Sequence, residues 1–173
     1  MKFSLTRSLE VLRNSPNVLS ALLFNLSAVW TENNEGENSW TAKEVLAHLI
    51  VCEETNWLPR IRIILSNQPN KILSSIDMAA HSILAKGSSI QDLIKRFSQL
   101  RESGIEELLA YDLDENDFEK TADHPEIGKI NIQQLISTWV AHDLTHIAQI
   151  ARIMARQTKG NVGSFEKYLK ILN

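Results

Sequence analysis

Between Asn131 and Gly160 one stripe of residues recurs at alternating steps of three and four: Ile132, Leu135, Trp139, His142, His146, Gln149 and Ile153. Only an α-helix puts such a series on one face. The segment also opens as a helix does. Asn131 stands at the N-cap, Gln134 three residues on can close a capping box, and Ile130 is placed as a hydrophobic staple. A long helix with an apolar stripe buries that stripe against other helices. Here the stripe carries two imidazoles where a bundle ordinarily places leucine or isoleucine. The chain is therefore expected to be all-α, around a core that has to accommodate histidine.

The rest of the chain supplies the partners. Thr41 and Glu44 form a second capping box, with Trp40 as staple against Val45. Val45, His48, Cys52 and Thr55 then form the inward stripe of another helix, expected to kink at Pro59 and to end near Ser66. Upstream, residues 4–13 carry a short amphipathic pattern. Ser15 and Pro16 then fit the N-cap and first position of a long helix running to about Trp30, with Thr31–Ser39 as a loop. After Ser66 a connection of about 20 residues, weakly helical at best, is long by ordinary standards. A third long helix starts at Ser88 or Ser89 and runs through Leu93, Phe97, Leu100 and Leu108 to about Ala110. An irregular, acid-rich stretch then leads through His124-Pro125-Glu126-Ile127-Gly128 to the last long helix. Phe165–Leu172 reads as a short terminal helix. Four long helices with long connections between the second and third and between the third and fourth predict a four-helix bundle. The first of these links lets helices two and three run parallel. One domain, 1–173, is the expected organisation for 173 residues.

Composition narrows the function. The net charge is −3, with 18 Lys and Arg against 21 Asp and Glu. A nucleic-acid surface needs clustered basic residues, and none is present. The single cysteine, Cys52, rules out an internal disulfide and suits a reducing cytosol. Met1–Arg7 carry no continuous apolar stretch, so no signal peptide is expected. No run of about 18 apolar residues exists to span a membrane. A cytoplasmic protein is the expectation.

The histidines carry the chemistry. His142 and His146 lie one turn apart on one face, and His48 sits on the seam of another helix. Two ligands from one helix and one from its neighbour can build the three-ligand site of a catalytic metal, with an open position for water or a thiol. The ion expected is divalent: zinc, nickel, iron or manganese. Set against this, a single inward histidine is more often a hydrogen-bonded core residue, and two of five can fall at this spacing by chance. The zincin pattern H-E-x-x-H is not met, since Asp143 stands at its second position. The Glu-x-x-His pairs of di-iron bundles are absent altogether. Asp143 and Gln149 can each orient a ligating ring, and Asp143 is the candidate catalytic base, with a solvated helix residue as the equal alternative. Glu53, five residues past His48, is rotated off its face. His81 reads as solvated and His124 as part of a loop. Cys52 reads as a small buried hydrophobe, although a thiolate would be an excellent ligand. Trp57 and Trp139 read as core, and Asp112–Glu119 as a solvated loop.

With His142-Asp143-Leu144-Thr145-His146-Ile147-Ala148-Gln149 in place, the chain resembles the DinB/YfiT-like superfamily of metalloenzymes. The likeness spans nearly the whole chain. It includes residues 40–49 with Glu53, Trp57-Leu58-Pro59-Arg60, Phe97 to Arg101, and the segment from His124-Pro125-Glu126-Ile127-Gly128 to Trp139-Val140-Ala141-His142-Asp143. The resemblance implies an up-down-down-up bundle with a divalent metal on His48, His142 and His146. It also implies kinship with bacterial thiol-dependent transferases and isomerases, which activate a low-molecular-weight thiol on the metal. The expected partner is then a small-molecule substrate, such a thiol included, with neither nucleic acid nor membrane. A homodimer is expected if apolar helix faces remain after the bundle forms. The competing expectation is a non-catalytic, metal-stabilised bundle that serves as a scaffold.

Overall fold

The helices form where the caps and stripes direct. In the computed structural model, which describes residues 2–75, 77 and 79–172, the order is α1 (Leu5–Leu23), α2 (Ala28–Glu32), α3 (Ala42–Thr55), α4 (Trp57–Leu65), α5 (Ala80–Gly87), α6 (Ile90–Ala110), α7 (Glu115–Phe118), β1 (Thr121–His124), β2 (Gly128–Asn131) and α8 (Ile132–Arg156). Short 3₁₀ turns fill Lys159–Leu172.

Four long elements make the bundle. Helix α1 packs against α6 and α8, and α3 packs against the same two, so α1 and α3 are diagonal. Two apolar clusters fix the directions. One gathers Leu9 and Leu12 of α1, Cys52 of α3, Ile61 of α4, Leu108 of α6 and Ile132 of α8. The other gathers Leu23 of α1, Val45 of α3, Leu93 of α6 and Ile153 of α8. Thus α1 and α8 run from the first cluster to the second, and α3 and α6 run back. The bundle is up-down-down-up, with α3 and α6 parallel as the long second connection allows.

Several boundaries differ from expectation for identifiable reasons. Helix α1 does not restart at Pro16 but runs through it. Proline has no N–H for the carbonyl four residues earlier, which is that of Leu12. That carbonyl instead accepts a hydrogen bond from Arg101 Nη1 of α6 at 2.9 Å, so a tertiary contact replaces the missing rung. Helix α1 then ends at Leu23 rather than Trp30, followed by Asn25 in the left-handed region at φ 65°. The break in the second long helix falls at Asn56 (φ −107°, ψ −66°), three residues before Pro59. Pro59 thereby lands in the first turn of α4, where a missing N–H is harmless.

Helix α5, helix α7 and the hairpin β1–β2 went unforeseen. Helix α5 occupies the end of the connection expected to be nearly structureless, and packs on α3. The acid-rich stretch contains a capped turn, α7, and an antiparallel hairpin pairing Thr121 with Asn131 and His124 with Gly128. Leu73 N–H donates to Asp123 O, and Asp123 N–H to Lys71 O, tying the α4–α5 connection to this hairpin. The terminal segment is helical, in short 3₁₀ pieces over Gly163–Tyr168 and Lys170–Leu172, in a stretch punctuated by Gly160 and Gly163. No helix among the described residues is long and apolar enough to cross a membrane.

Candidate metal centre

Two capping boxes set the phase of the site. Thr41 Oγ1 accepts from Glu44 N–H at 3.1 Å, while Glu44 Oε2 accepts from Thr41 N–H at 2.9 Å. Asn131 and Gln134 exchange the equivalent bonds at 2.8 and 2.9 Å. With both helices started in register, His48 of α3 faces His142 and His146 of α8. The Nε2 atoms of His48 and His142 lie 3.2 Å apart, as do those of His142 and His146. Each of the three rings offers a nitrogen within 4.8 Å of the others.

The surroundings keep these rings neutral. Burial disfavours the imidazolium and pulls His48 down to about 3 and His142 to about 4, with the neighbouring rings adding to the effect. His146 is lowered by the same desolvation, and Gln149 works against it. The contact with Gln149 also sets a tautomer. His146 Nδ1 lies 2.7 Å from Gln149 Oε1, an acceptor, so the proton sits on Nδ1 and the Nε2 lone pair faces the other rings. Neutral rings this close either share a proton between their Nε2 atoms or, with all three lone pairs turned inward, call for a cation between them. His142 Nδ1 is buried with no hydrogen-bond partner among the described residues. The donor set therefore fits a divalent metal ion, with nitrogen ligands of the kind that suit zinc and its first-row neighbours.

Aromatic rings wall the triangle. Trp40 sits 4.9 Å from the His48 ring and 4.3 Å from that of His81, and Trp57 packs edge-on to His142 at 5.1 Å. Expected to be solvated, His81 is 5% exposed, carried in by α5 with its ring 6.0 Å from that of His48. Cys52 lies beneath, its Sγ 3.5 Å from His48 Nε2 and 3.9 Å from His142 Nε2. Burial pushes this thiol up to about 12.

Asp143 is neither solvated nor turned toward the rings. It is fully buried, its Oδ2 accepting from Arg101 Nη1 at 2.5 Å and its Oδ1 from Nη2 at 3.0 Å. Glu53, expected to lie off the site's face, completes the same network. Its Oε1 accepts from Arg101 Nη2 at 2.8 Å and Trp139 Nε1 at 2.9 Å, and its Oε2 accepts from Arg101 Nε at 3.1 Å. Burial pushes the Glu53 carboxyl up, and Arg101 pulls it back. Sequence reasoning passed over Arg101. The available signal was its position, four residues after Phe97 and four before Ile105 on an apolar stripe. His124 stays apart from the triangle, its Nδ1 accepting from Glu126 N–H in the hairpin turn at 3.2 Å.

Known proteins agree with this architecture. The sequence profile of the DinB superfamily matches residues 12–150. YfiT from Bacillus subtilis, described as a probable metal-dependent hydrolase with an unusual four-helix bundle topology, superposes with a TM-score of 0.75 at 18% identity, covering 89% of this chain and 87% of that one. The four-helix bundle protein TT2238 superposes with a TM-score of 0.57 at 18% identity, covering 86% of this chain and 98% of that one. No curated protein matches the chain.

Proposed function

The chain belongs to the DinB superfamily, and we propose that it is a metal-dependent enzyme whose His48, His142 and His146 hold one divalent ion and whose substrate is a small molecule. The observation that carries this is the convergence of three neutral imidazole nitrogens within 4.8 Å. An ion bound there would supply an open position that lowers the pKa of a water or thiol and so provides a nucleophile near neutral pH. Hydrolysis is the favoured reaction, because YfiT, which shares the bundle, is described as a probable metal-dependent hydrolase. Thiol transfer to an electrophile is the alternative chemistry for the same site.

The chain's own residues divide the remaining work. Gln149 holds the proton of His146 on Nδ1. Trp40 and Trp57 pack against the rings and limit water access. Asp143 has both oxygens occupied by Arg101, so in place of a proton-accepting role we assign it a positioning one: it fixes the turn of α8 that carries His142. Glu53 does the same for the turn of α3 beyond Cys52.

Elemental mass spectrometry of protein purified without chelators or a histidine tag tests the reading. About one equivalent of zinc, nickel, iron or manganese is expected, and loss of it in His146→Ala. A wild-type chain that stays metal-free after addition of divalent ions would overturn it.

A second reading rests on Cys52, whose sulfur lies within 3.5 and 3.9 Å of two of the nitrogens. Were Cys52 a fourth ligand, the site would be closed and the metal would stabilise a scaffold. The cobalt-loaded protein separates the two. A thiolate-to-cobalt charge-transfer band that vanishes in Cys52→Ala supports closure, and its absence supports the open site.

A further inference from the structure

A fourth histidine stands beside the triangle without belonging to it. The ring centre of His81 lies 6.0 Å from that of His48, the two planes at 89°, and 4.3 Å from that of Trp40. Trp40 in turn lies 4.9 Å from His48 and 6.3 Å from His146. Trp40 and His81 thus border the ligand rings together. His81 is outside the set whose nitrogens converge within 4.8 Å, so it is a neighbour of that set and not a fourth member.

Nothing within the chain uses its polarity. His81 is 5% exposed, and its Nδ1 is buried with no hydrogen-bond partner among the described residues. Folded proteins rarely keep a buried polar atom in that state, because its lost hydration goes uncompensated. Packing does not require an imidazole here, since phenylalanine or leucine would fill the space against Trp40 and leave no nitrogen unanswered. Helix α5 is held on α3 by other groups. Ser82 Oγ donates to Glu44 Oε1 at 3.4 Å, and Ala85 is buried in the second apolar cluster.

The way into the centre passes this ring. Cys52 and Trp57, both buried, belong to the first apolar cluster and close that side, whereas Trp40 packs against the second. The partly exposed rings of the centre are Trp40, His142 and His146. A molecule from solution enters past these three, with Trp40 and His81 along one flank.

We propose that His81 is a substrate-binding residue of the metal site: its Nδ1 hydrogen-bonds a polar group that the substrate carries next to the atom held on the metal, and Trp40 covers that group. The substrate is then a compact molecule with a second hydrogen-bonding atom close to the reacting one. This rests on the metal-dependent reading and adds to it a residue that determines specificity.

Azide and acetohydroxamate, titrated into the cobalt-loaded protein and followed by its visible spectrum, separate the roles. Azide is a bare linear ion, whereas the hydroxamate carries an amide group beside the oxygen that binds the metal. His81→Phe keeps a ring against Trp40 and removes both nitrogens. It should weaken acetohydroxamate about three- to tenfold, the scale of one hydrogen bond, and leave azide affinity and metal content unchanged. His81→Asn, whose amide atoms stand as many bonds from Cα as Nδ1 does, should restore most of the hydroxamate affinity. A purely structural role reverses that order: His81→Phe would bind like the wild type, and His81→Asn would be the damaged variant in binding and in melting temperature. That reversal, or a parallel loss of both probes in His81→Phe, overturns the assignment. Nitrogen-15 spectra of the zinc-loaded wild type, labelled at histidine, need no variant. One imidazole nitrogen outside the ligand set should shift when acetohydroxamate is added and stay in place with azide, and its failure to move overturns the proposal even if His81→Phe does not fold. A chain that takes up no cobalt overturns this proposal and the metal reading together. One that takes it up and binds the hydroxamate equally well with and without the imidazole overturns this proposal alone.

Discussion

Two polar clusters lie side by side in this bundle, one residue apart along two of its helices: His142 adjoins Asp143 on α8, and Cys52 adjoins Glu53 on α3. Around Arg101 every strong donor and acceptor is answered from within the chain, by Glu53, Asp143, Trp139 and the carbonyl freed by Pro16. Around His48, His142 and His146 three ring nitrogens face one another, and a buried ring nitrogen has no partner among the described residues. The rings are the less enclosed of the two, with His142 only partly buried and Arg101 and Asp143 fully buried. They differ also in completeness. A closed network holds the four helices at fixed spacing, and an open one beside it waits for something from solution. The rigidity of the first is what keeps the nitrogens of the second from splaying apart, because Arg101 grips the neighbours of the ligand-bearing residues directly.

The largest effect should come from breaking the closed cluster. Arg101→Leu leaves two buried carboxylates uncompensated and strips the Leu12 carbonyl of its donor, at about 3–5 kcal/mol. Chemical denaturation should report that loss, and melting should fall by roughly 10 °C for a chain of this size. Replacing Arg101, Glu53 and Asp143 together by leucine should recover much of the stability, since no orphaned charge then remains. If Arg101→Leu melted like the wild type, the contrast between the clusters would collapse.

The same contrast explains what was legible in the sequence. The triangle could be read because two of its members sit on one helix at a fixed step, inside a stripe whose period is unambiguous. The bundle could be read from the caps of α3 and α8 and from the length of the connections. Arg101 could not, because its partners come from residues 42 and 48 positions away and from a carbonyl left free only by Pro16 in another helix. Pro16 itself looked like a helix start for the same reason: local rules assign the penalty of a missing N–H but not the distant donor that removes it. Helix α5 has Ala79 at its N-cap and so no side-chain cap, so nothing announced it, and His81 was lost with it. The hairpin strands are four residues each, too short for alternation to register.

A smaller effect, and one that sharpens the comparison, should appear on titrating the metal-free protein. In the unfolded chain the histidines take up protons near 6.5, whereas in the folded chain His48 and His142 wait until about 3 and about 4. Between those limits the unfolded state binds more protons, so stability is highest above about 6.5 and is lost as pH falls toward 4. His48→Leu should flatten part of that slope in thermal melts from pH 7.5 to 4.5. A bound ion should protect until protons displace it, so the loaded protein should lose its metal and then its stability over the same range. A melting temperature independent of pH in the metal-free form would mean that the rings are not held neutral by burial.

The smallest effect tests the hydrogen bond that orients one ring of the open cluster. Gln149 Oε1 lies 2.7 Å from His146 Nδ1 and keeps that ring's proton there. Gln149→Leu removes the acceptor without touching a ligating nitrogen, and the outer partner of a ligating histidine is ordinarily worth about 10–100-fold in metal affinity. Competition with a chromogenic chelator should show a loss in that range, with the metal still bound at one equivalent when supplied in excess. Gln149→Glu should act in the opposite direction, because a carboxylate on Nδ1–H makes the ring a stronger donor. If both substitutions left the affinity unchanged, His146 would be oriented by the packing of α8 and Trp40 alone, and the open cluster would owe its geometry wholly to the closed one beside it.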